Sequence, residues 1–231
     1  MKITWFGHSC FRVEMGASVV LIDPFLKGNP TFEASGVAWD SAIENVTHVA
    51  LTHGHDDHIG DAAEICRLRG ATLFANWELA NYIAGQGAAK IEPMNTGGTV
   101  KSQDFDLTLV HALHSSSSNG VYLGNPCGII LASREGRTLY HMGDTDVFPG
   151  MALIAELWQP EIGIVPIGDR FTMGGAVAAL ACRRFFEFET VIPAHYATFG
   201  LLDQTPDKFV EGLKGSDTKV LVPKVGEPFE L

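Results

Sequence analysis

Four metal-ligand side chains fall within six positions of the stretch Thr52-His53-Gly54-His55-Asp56-Asp57-His58, in the pattern H-x-H-x-D-H. An apolar run, Val46 to Leu51, precedes it and reads as a buried strand. Gly60-Asp61 follows, then a helical pattern in which Ala62, Ile65, Cys66 and Leu68 share one face. Any fold open to this chain must therefore hold the cluster on a loop at a strand end, where rigid elements can fix a site. His53 and His55, two apart on extended backbone, project to the same side and can grip one ion. Asp57 and His58 come after the chain has turned and can reach a second. Imidazole with carboxylate suits zinc, iron or manganese, whereas calcium wants oxygen ligands only.

At 231 residues, 46% hydrophobic and 19% charged, the chain can bury a sizeable core, and no Pro/Gly/Ser-rich linker divides it. One domain over residues 1–231 is the expectation. The net charge of −11, with no run of Lys or Arg, argues against an extended nucleic-acid partner. A small-molecule substrate is expected instead, and homo-oligomerisation stays open. Cys10, Cys66, Cys127 and Cys182 form no C-x-x-C and no close pair, so free thiols in a reducing cytoplasm are expected. The N-terminus runs straight into a strand without a signal-peptide core, and no apolar segment approaches the ~20 residues that span a bilayer.

Short β-prone runs fill the first fifty residues: Ile3 to Phe6, Cys10 to Glu14 and Val19 to Ile22. Asp23-Pro24 ends the third, and Lys27-Gly28-Asn29-Pro30 reads as a turn-rich loop. Helices are predicted from about Asp61 to Arg69 and, capped by Asn76, to Ala84. Phe105 to Leu113 alternates as a strand, followed by the polar loop His114-Ser115-Ser116-Ser117-Ser118-Asn119-Gly120. Strands Gly128 to Ala132 and Thr138 to His141 follow, the second emptying into Gly143-Asp144-Thr145. A helix over Met151 to Trp158, a strand over Ile162 to Ile167 and a helix reaching about Phe188 come next. Strand Thr190 to Pro193 presents His195. Thr205-Pro206-Asp207 reads as an N-cap with Pro at the first helical position. Lys219 to Val222 is the last strand expected. The 53–58 cluster, His114, Asp144 and His195 all follow predicted strands, which points to a single site. Each half is rich in strands and then mixes strands with helices, predicting two packed sheets flanked by helices.

These residues together resemble the metallo-β-lactamase superfamily. H-x-H-x-D-H, a later single His, a G-D-T aspartate and a last His occur in that order. The stretches Gly7-His8-Ser9, Asp23-Pro24, Gly28-Asn29-Pro30, His114-Ser115-Ser116, His141-Met142-Gly143-Asp144-Thr145, Pro166-Ile167-Gly168-Asp169, Phe171-Thr172-Met173-Gly174 and His195-Tyr196 narrow the resemblance to one branch. That branch is an uncharacterised family of metal-dependent hydrolases related to the ascorbate-6-phosphate lactonases. The resemblance covers essentially the whole chain. It implies an α/β fold, a four-layer αββα sandwich, with a dinuclear site at one edge of the paired sheets.

Carried over, the resemblance puts His53, His55 and His114 on one metal and Asp57, His58 and His195 on the other, with Asp144 bridging. His111 competes with His114, but His114 leaves the strand and stands in the His-Ser-Ser pattern. Two divalent ions are implied, zinc first, with manganese or iron as alternatives. Asp57 and Asp144 would serve catalysis: two metals acidify a water into a hydroxide nucleophile, and Asp57 would orient it. His8 would line the pocket or orient a ligand, or be a satisfied buried histidine. Asp23 would support the histidine loop from behind or be an ordinary Asp-Pro turn. His141 would support Asp144 or be a plain strand residue. Asp169 and Arg170 would meet substrate or lie on a solvated loop.

The reaction implied is hydrolysis of a small ester, lactone or phosphodiester. No G-x-S-x-G nucleophile elbow is present. An iron-dependent oxidoreductase of the same fold, akin to the persulfide dioxygenases or flavodiiron proteins, is the alternative. A non-catalytic metal-binding module is a third.

Overall fold

In the computed structural model, which describes residues 1–231, the period-two alternation of the strands splits their apolar residues between two cores. Every residue of β3 (Ser18–Ile22) is buried. Its Val20 and Ile22 point into one cluster, while Val19 and Leu21 point into another. The same division sends Ala50 of β4 (His48–Ala50) and Phe74 of β5 (Thr72–Asn76) inwards. Val49, Leu73 and Ala75 face the other way, towards Ile65, Leu79 and Ile83. Those three belong to helices α4 (Ala62–Arg69) and α5 (Trp77–Ala84), which cover this sheet.

The first sheet also contains β1 (Lys2–Trp5), β2 (Phe11–Met15) and β6 (Lys90–Met94), with β16 (Pro228–Glu230) at its edge, in the order β16-β1-β2-β3-β4-β5-β6. The second runs β15-β14-β13-β12-β11-β8-β7. Its members are β7 (Thr99–Lys101), β8 (Phe105–His111), β11 (Cys127–Ser133), β12 (Thr138–His141), β13 (Ile162–Pro166), β14 (Thr190–Ala194) and β15 (Lys219–Val220). Inward residues of both sheets, among them Val13, Ile22, Leu107, Leu109, Ile129 and Leu131, share one core. Helices α6 (Met151–Trp158), α7 (Gly175–Phe185) and α8 (Asp207–Gly212) cover the second sheet. The result is the four-layer αββα sandwich.

The two sheets share one connectivity. From β16 to β3 the pairing is antiparallel, and from β3 to β6 it is parallel. From β7 to β12 it is likewise antiparallel, and from β12 to β15 parallel. The loops after β3 and β4 in one sheet, and after β12 and β14 in the other, consequently meet at one rim.

Several elements differ from the sequence expectations for local reasons. Lys27 to Pro30 leads into a helix, α1 (Pro30–Ser35): the Asn29 side chain accepts from Thr31 N and Phe32 N, and Pro30 takes the first turn. Short helices α2 (Trp39–Ala42) and α3 (Asp56–Ile59) were not foreseen. Nor were β6 and β16, the latter pairing with β1 after Val222. The run 46–51 shrinks to three strand residues, and β8 ends at His111. α8 starts one residue later than predicted, with Pro206 as its cap. Asn76 caps α5 as expected, accepting from Leu79 N at 3.0 Å. Ser117–Ser118 form β9, paired with β10 (Val121–Tyr122). All four cysteines are free and buried, and burial pushes Cys66, Cys127 and Cys182 up to about 12. No helix is long and apolar enough to cross a membrane.

Candidate metal centre

His53 and His55 leave β4 on a non-helical loop, and His55 is the residue before α3, so Asp57 and His58 lie in that helix's single turn. The loop is pinned by serines: Gly54 N donates to Ser116 Oγ (3.0 Å), and Ser118 Oγ donates to Asp56 Oδ1 (2.6 Å). From the second sheet come His114, Asp144 and His195. His195 is buried, takes φ 57° and donates its backbone N–H to the His8 carbonyl (3.1 Å). His8 (φ 52°) and Asp23 (φ 45°) are held in the same left-handed region, which costs non-glycine residues free energy and tends to mark sites. Gly168 is required beside them, because a Cβ there would overlap the His195 carbonyl oxygen.

The groups converge in three overlapping sets, each offering one atom per residue with all atoms within 4.8 Å. The sets are His53, His55 and His114; His53, His58 and Asp144; and His8, Asp57, His58 and His195. Asp144 stands between the histidines. Its Oδ2 lies 2.9 Å from His195 Nε2 and 3.6 Å from His114 Nε2, and its Oδ1 lies 3.4 Å from His58 Nε2. His111 is elsewhere, an exposed residue at the end of β8 with its ring edge-on to Phe148.

Behind these atoms a hydrogen-bond network fixes the rings. Asp23, wholly buried, accepts from Thr52 N (2.8 Å), Thr52 Oγ1 (2.6 Å) and His58 Nδ1 (2.8 Å). Because the Thr52 hydroxyl donates to Asp23, it accepts from His53 Nδ1 at 3.0 Å. The Nε2 atoms of both His53 and His58 are thereby aimed into the cluster. His141 Nδ1 accepts from Gly143 N (3.1 Å), so its Nε2 donates to the Ser9 carbonyl (3.1 Å) and it braces the loop that carries Asp144. His8 joins Thr198 Oγ1 (3.0 Å) to Asp57 Oδ2 (3.0 Å).

Charge in the cluster is finely opposed. Burial works against a charge on His58, but Asp144, Asp23 and Asp57 outweigh it and hold its pKa well above the ordinary value. Burial likewise opposes ionised Asp144 and Asp57, yet His195 and His58 hold the first far below the carboxylate range, and His58 and His8 the second. Burial lowers His53, His55, His114 and His141, and lowers His8 to about 4. Neutral imidazoles and ionised carboxylates are the forms that bind metals, so an ion at His58 Nε2 would take the place of the proton that the neighbouring carboxylates otherwise hold there. His58 Nε2 and Asp144 Oδ1 are buried and have no hydrogen-bond partner, a pairing costly to bury unless a cation sits between them. The donor set therefore fits borderline divalent ions.

Asp169 and Arg170 are exposed and touch none of these groups; the Arg170 guanidinium lies over Phe171, 5.8 Å from the ring centre. Sequence reasoning gave no role to Thr52, Ser9 or Thr198. Each acts through a backbone group or a hydroxyl, and no spacing rule marks such a partner.

A profile described as the beta-lactamase superfamily domain matches residues 2–195. The chain belongs to the metallo-β-lactamase superfamily. Within the superfamily, a UPF0173 metal-dependent hydrolase of Mesorhizobium japonicum is 58% identical over 234 residues, covering 98% of each chain. Another from Chelativorans sp. is 56% identical over 237 residues, covering all of both. Among solved structures of the superfamily fold, Igni18, a metallo hydrolase of Ignicoccus hospitalis, superposes with a TM-score of 0.88 at 34% identity. That match covers 100% of this chain and 98% of the other.

Proposed function

We propose that the chain is a metal-dependent hydrolase with a dinuclear centre. In this reading His53, His55 and His114 hold one ion, Asp57, His58 and His195 hold the other, and Asp144 lies between both. The observation that carries it is the position of Asp144, its two oxygens directed at histidines of both groups. The nitrogen-rich ligand set favours zinc, with manganese or iron as alternatives. The names of full-length relatives above 50% identity support the metal-dependent hydrolase part of this reading.

Bound divalent ions supply a polarised substrate oxygen and a water acidified from about 15.7 towards neutrality. The chain's own residues do the rest. Asp57 is the more open of the two ligand carboxylates, with a side chain 31% exposed against 3% for Asp144. Its Oδ2 takes the His8 contact, which leaves Oδ1 to orient the attacking water. Ser115 Oγ, 3.3 Å from His55 Nε2, offers a hydrogen bond at the opposite side. The substrate class is a small ester, lactone or phosphodiester.

Elemental analysis of protein purified without added metal or a histidine tag tests this first. About two zinc or manganese ions per chain support the proposal, and iron with oxygen consumption would replace it by redox chemistry. Asp144→Ala should lose both metal retention and turnover while staying folded. Wild-type hydrolysis by that variant would refute the assignment.

A further inference from the structure

We infer that Phe25 and Phe199 form an aromatic subsite beside the second group of ligands, taking an uncharged aryl or alkyl group of the substrate. The inference rests on the hydrolase reading and narrows it to neutral esters, thioesters or lactones with an apolar substituent.

The two rings lie on the loops that deliver site residues, two positions after Asp23 and four after His195. They pack with centroids 6.2 Å apart. Both stand edge-on to the buried His8 ring, at 5.9 Å for Phe25 and 5.5 Å for Phe199. His8 in turn contacts Asp57, the open carboxylate, and lies 4.0 Å from the His195 ring. Phe25 is half-buried and Phe199 37% exposed, so each keeps a solvent-facing surface beside His8.

Neither ring is a loose surface residue. The Phe25 carbonyl accepts from Asn29 Nδ2 (3.0 Å), and its backbone packs so closely on Gly60 that a Cβ there would collide with it. The Phe199 carbonyl accepts from Leu202 N (3.0 Å) and Gln204 Nε2 (2.9 Å). Rings whose backbones are already ordered bind an apolar group at little further entropic cost.

Charge selects in the same direction. Asp57 and Asp144 have only histidines as ionic neighbours. Lys27, two residues after Phe25, turns away to Glu64 and lies over the Trp39 ring. Arg170 lies over Phe171. A pair of divalent ions would be balanced by Asp23, Asp57, Asp144 and one hydroxide, leaving no surplus positive charge for an anionic substituent. Recognition of a phosphorylated substrate ordinarily recruits arginine or lysine, and none pairs with the carboxylates of this site.

The test is calorimetric titration of the zinc-loaded full chain with acetohydroxamate and phenylacetohydroxamate, alongside turnover of phenyl-substituted and unsubstituted esters. Wild type should bind the phenyl compound on the order of 30-fold more tightly, as expected for burying one ring. In Phe199→Ala and Phe25→Ala that ratio should fall to about 5-fold or less, with zinc content unchanged. An equal ratio in wild type and both variants would overturn the subsite and leave the hydrolase reading intact. Selective hydroxamate binding without turnover of any ester, thioester, lactone or phosphodiester would keep the subsite and overturn the hydrolase reading. Failure to hold zinc or any other divalent metal ion would overturn both.

Discussion

Asp23→Asn tests how the centre is built, because it changes charge and proton pattern with almost no change of shape. The native carboxylate accepts three hydrogen bonds, two of them on Oδ2, from Thr52 Oγ1 and His58 Nδ1. An asparagine whose oxygen stays with Thr52 N presents its NH2 to His58 Nδ1, which must then accept. The ring proton of a neutral His58 moves to Nε2, the atom 3.4 Å from Asp144 Oδ1 and the one proposed to bind metal. Restoring the metal-binding tautomer sacrifices that neutral hydrogen bond, about 0.5–1.5 kcal/mol, in addition to the charge assistance lost with the Asp23 carboxylate. Zinc affinity should therefore fall about 10- to 100-fold, in line with other changes behind metal ligands. Competition titration against a chromophoric chelator reads this directly, and elemental analysis shows whether one ion or two is lost. A folded Asp23→Asn protein with wild-type affinity for both ions would show that the Asp23–His58 contact does not set the ligand's tautomer.

Gly168→Ala should cost roughly 3 kcal/mol or more, since the new Cβ meets backbone rather than a movable side chain; a urea midpoint near wild type would contradict this. His48 gives a pH test away from the cluster. It stacks on Phe74 and meets Phe105 edge-on, and burial lowers its pKa below 6.5, with Asp104 opposing. Below 6.5 the unfolded chain binds the greater share of protons at this residue. Its contribution is thus full above that pH and is lost as pH falls towards the lowered folded value. Unfolding free energies from pH 8 to 5 should decline less in His48→Gln than in wild type, and parallel curves would remove the effect.

The ligand cluster was legible because four of its members sit within six residues and the others follow apolar runs that end abruptly. Two halves, each rich in strands before mixing strands with helices, were enough to predict two sheets. The shared connectivity of those sheets was not legible, because no sequence similarity accompanies it: the two halves repeat an arrangement of strands and not a pattern of residues. β16 escaped for a related reason, being three residues whose strand character comes from pairing with β1. The serine run read as a polar loop, yet Ser116 and Ser118 are specific partners of Gly54 and Asp56, contacts that only the fold brings together. His8 reads in sequence as either a core or a site residue, and its place is decided by Asp57 and Thr198, 49 and 190 residues away.

The rim where the two sheets meet has a consequence for the molecule as a whole. Asp23 and the residues from 53 to 58 belong to one half of the sandwich, and His114, Asp144 and His195 to the other. An ion gripped from both sides is a crosslink between halves, and linkage makes that relation reciprocal. Whatever tightens the cluster also tightens the seam. A substitution deep between the sheets, such as one at Ile22 or Leu109, should then be felt as weaker metal binding even though it touches no ligand.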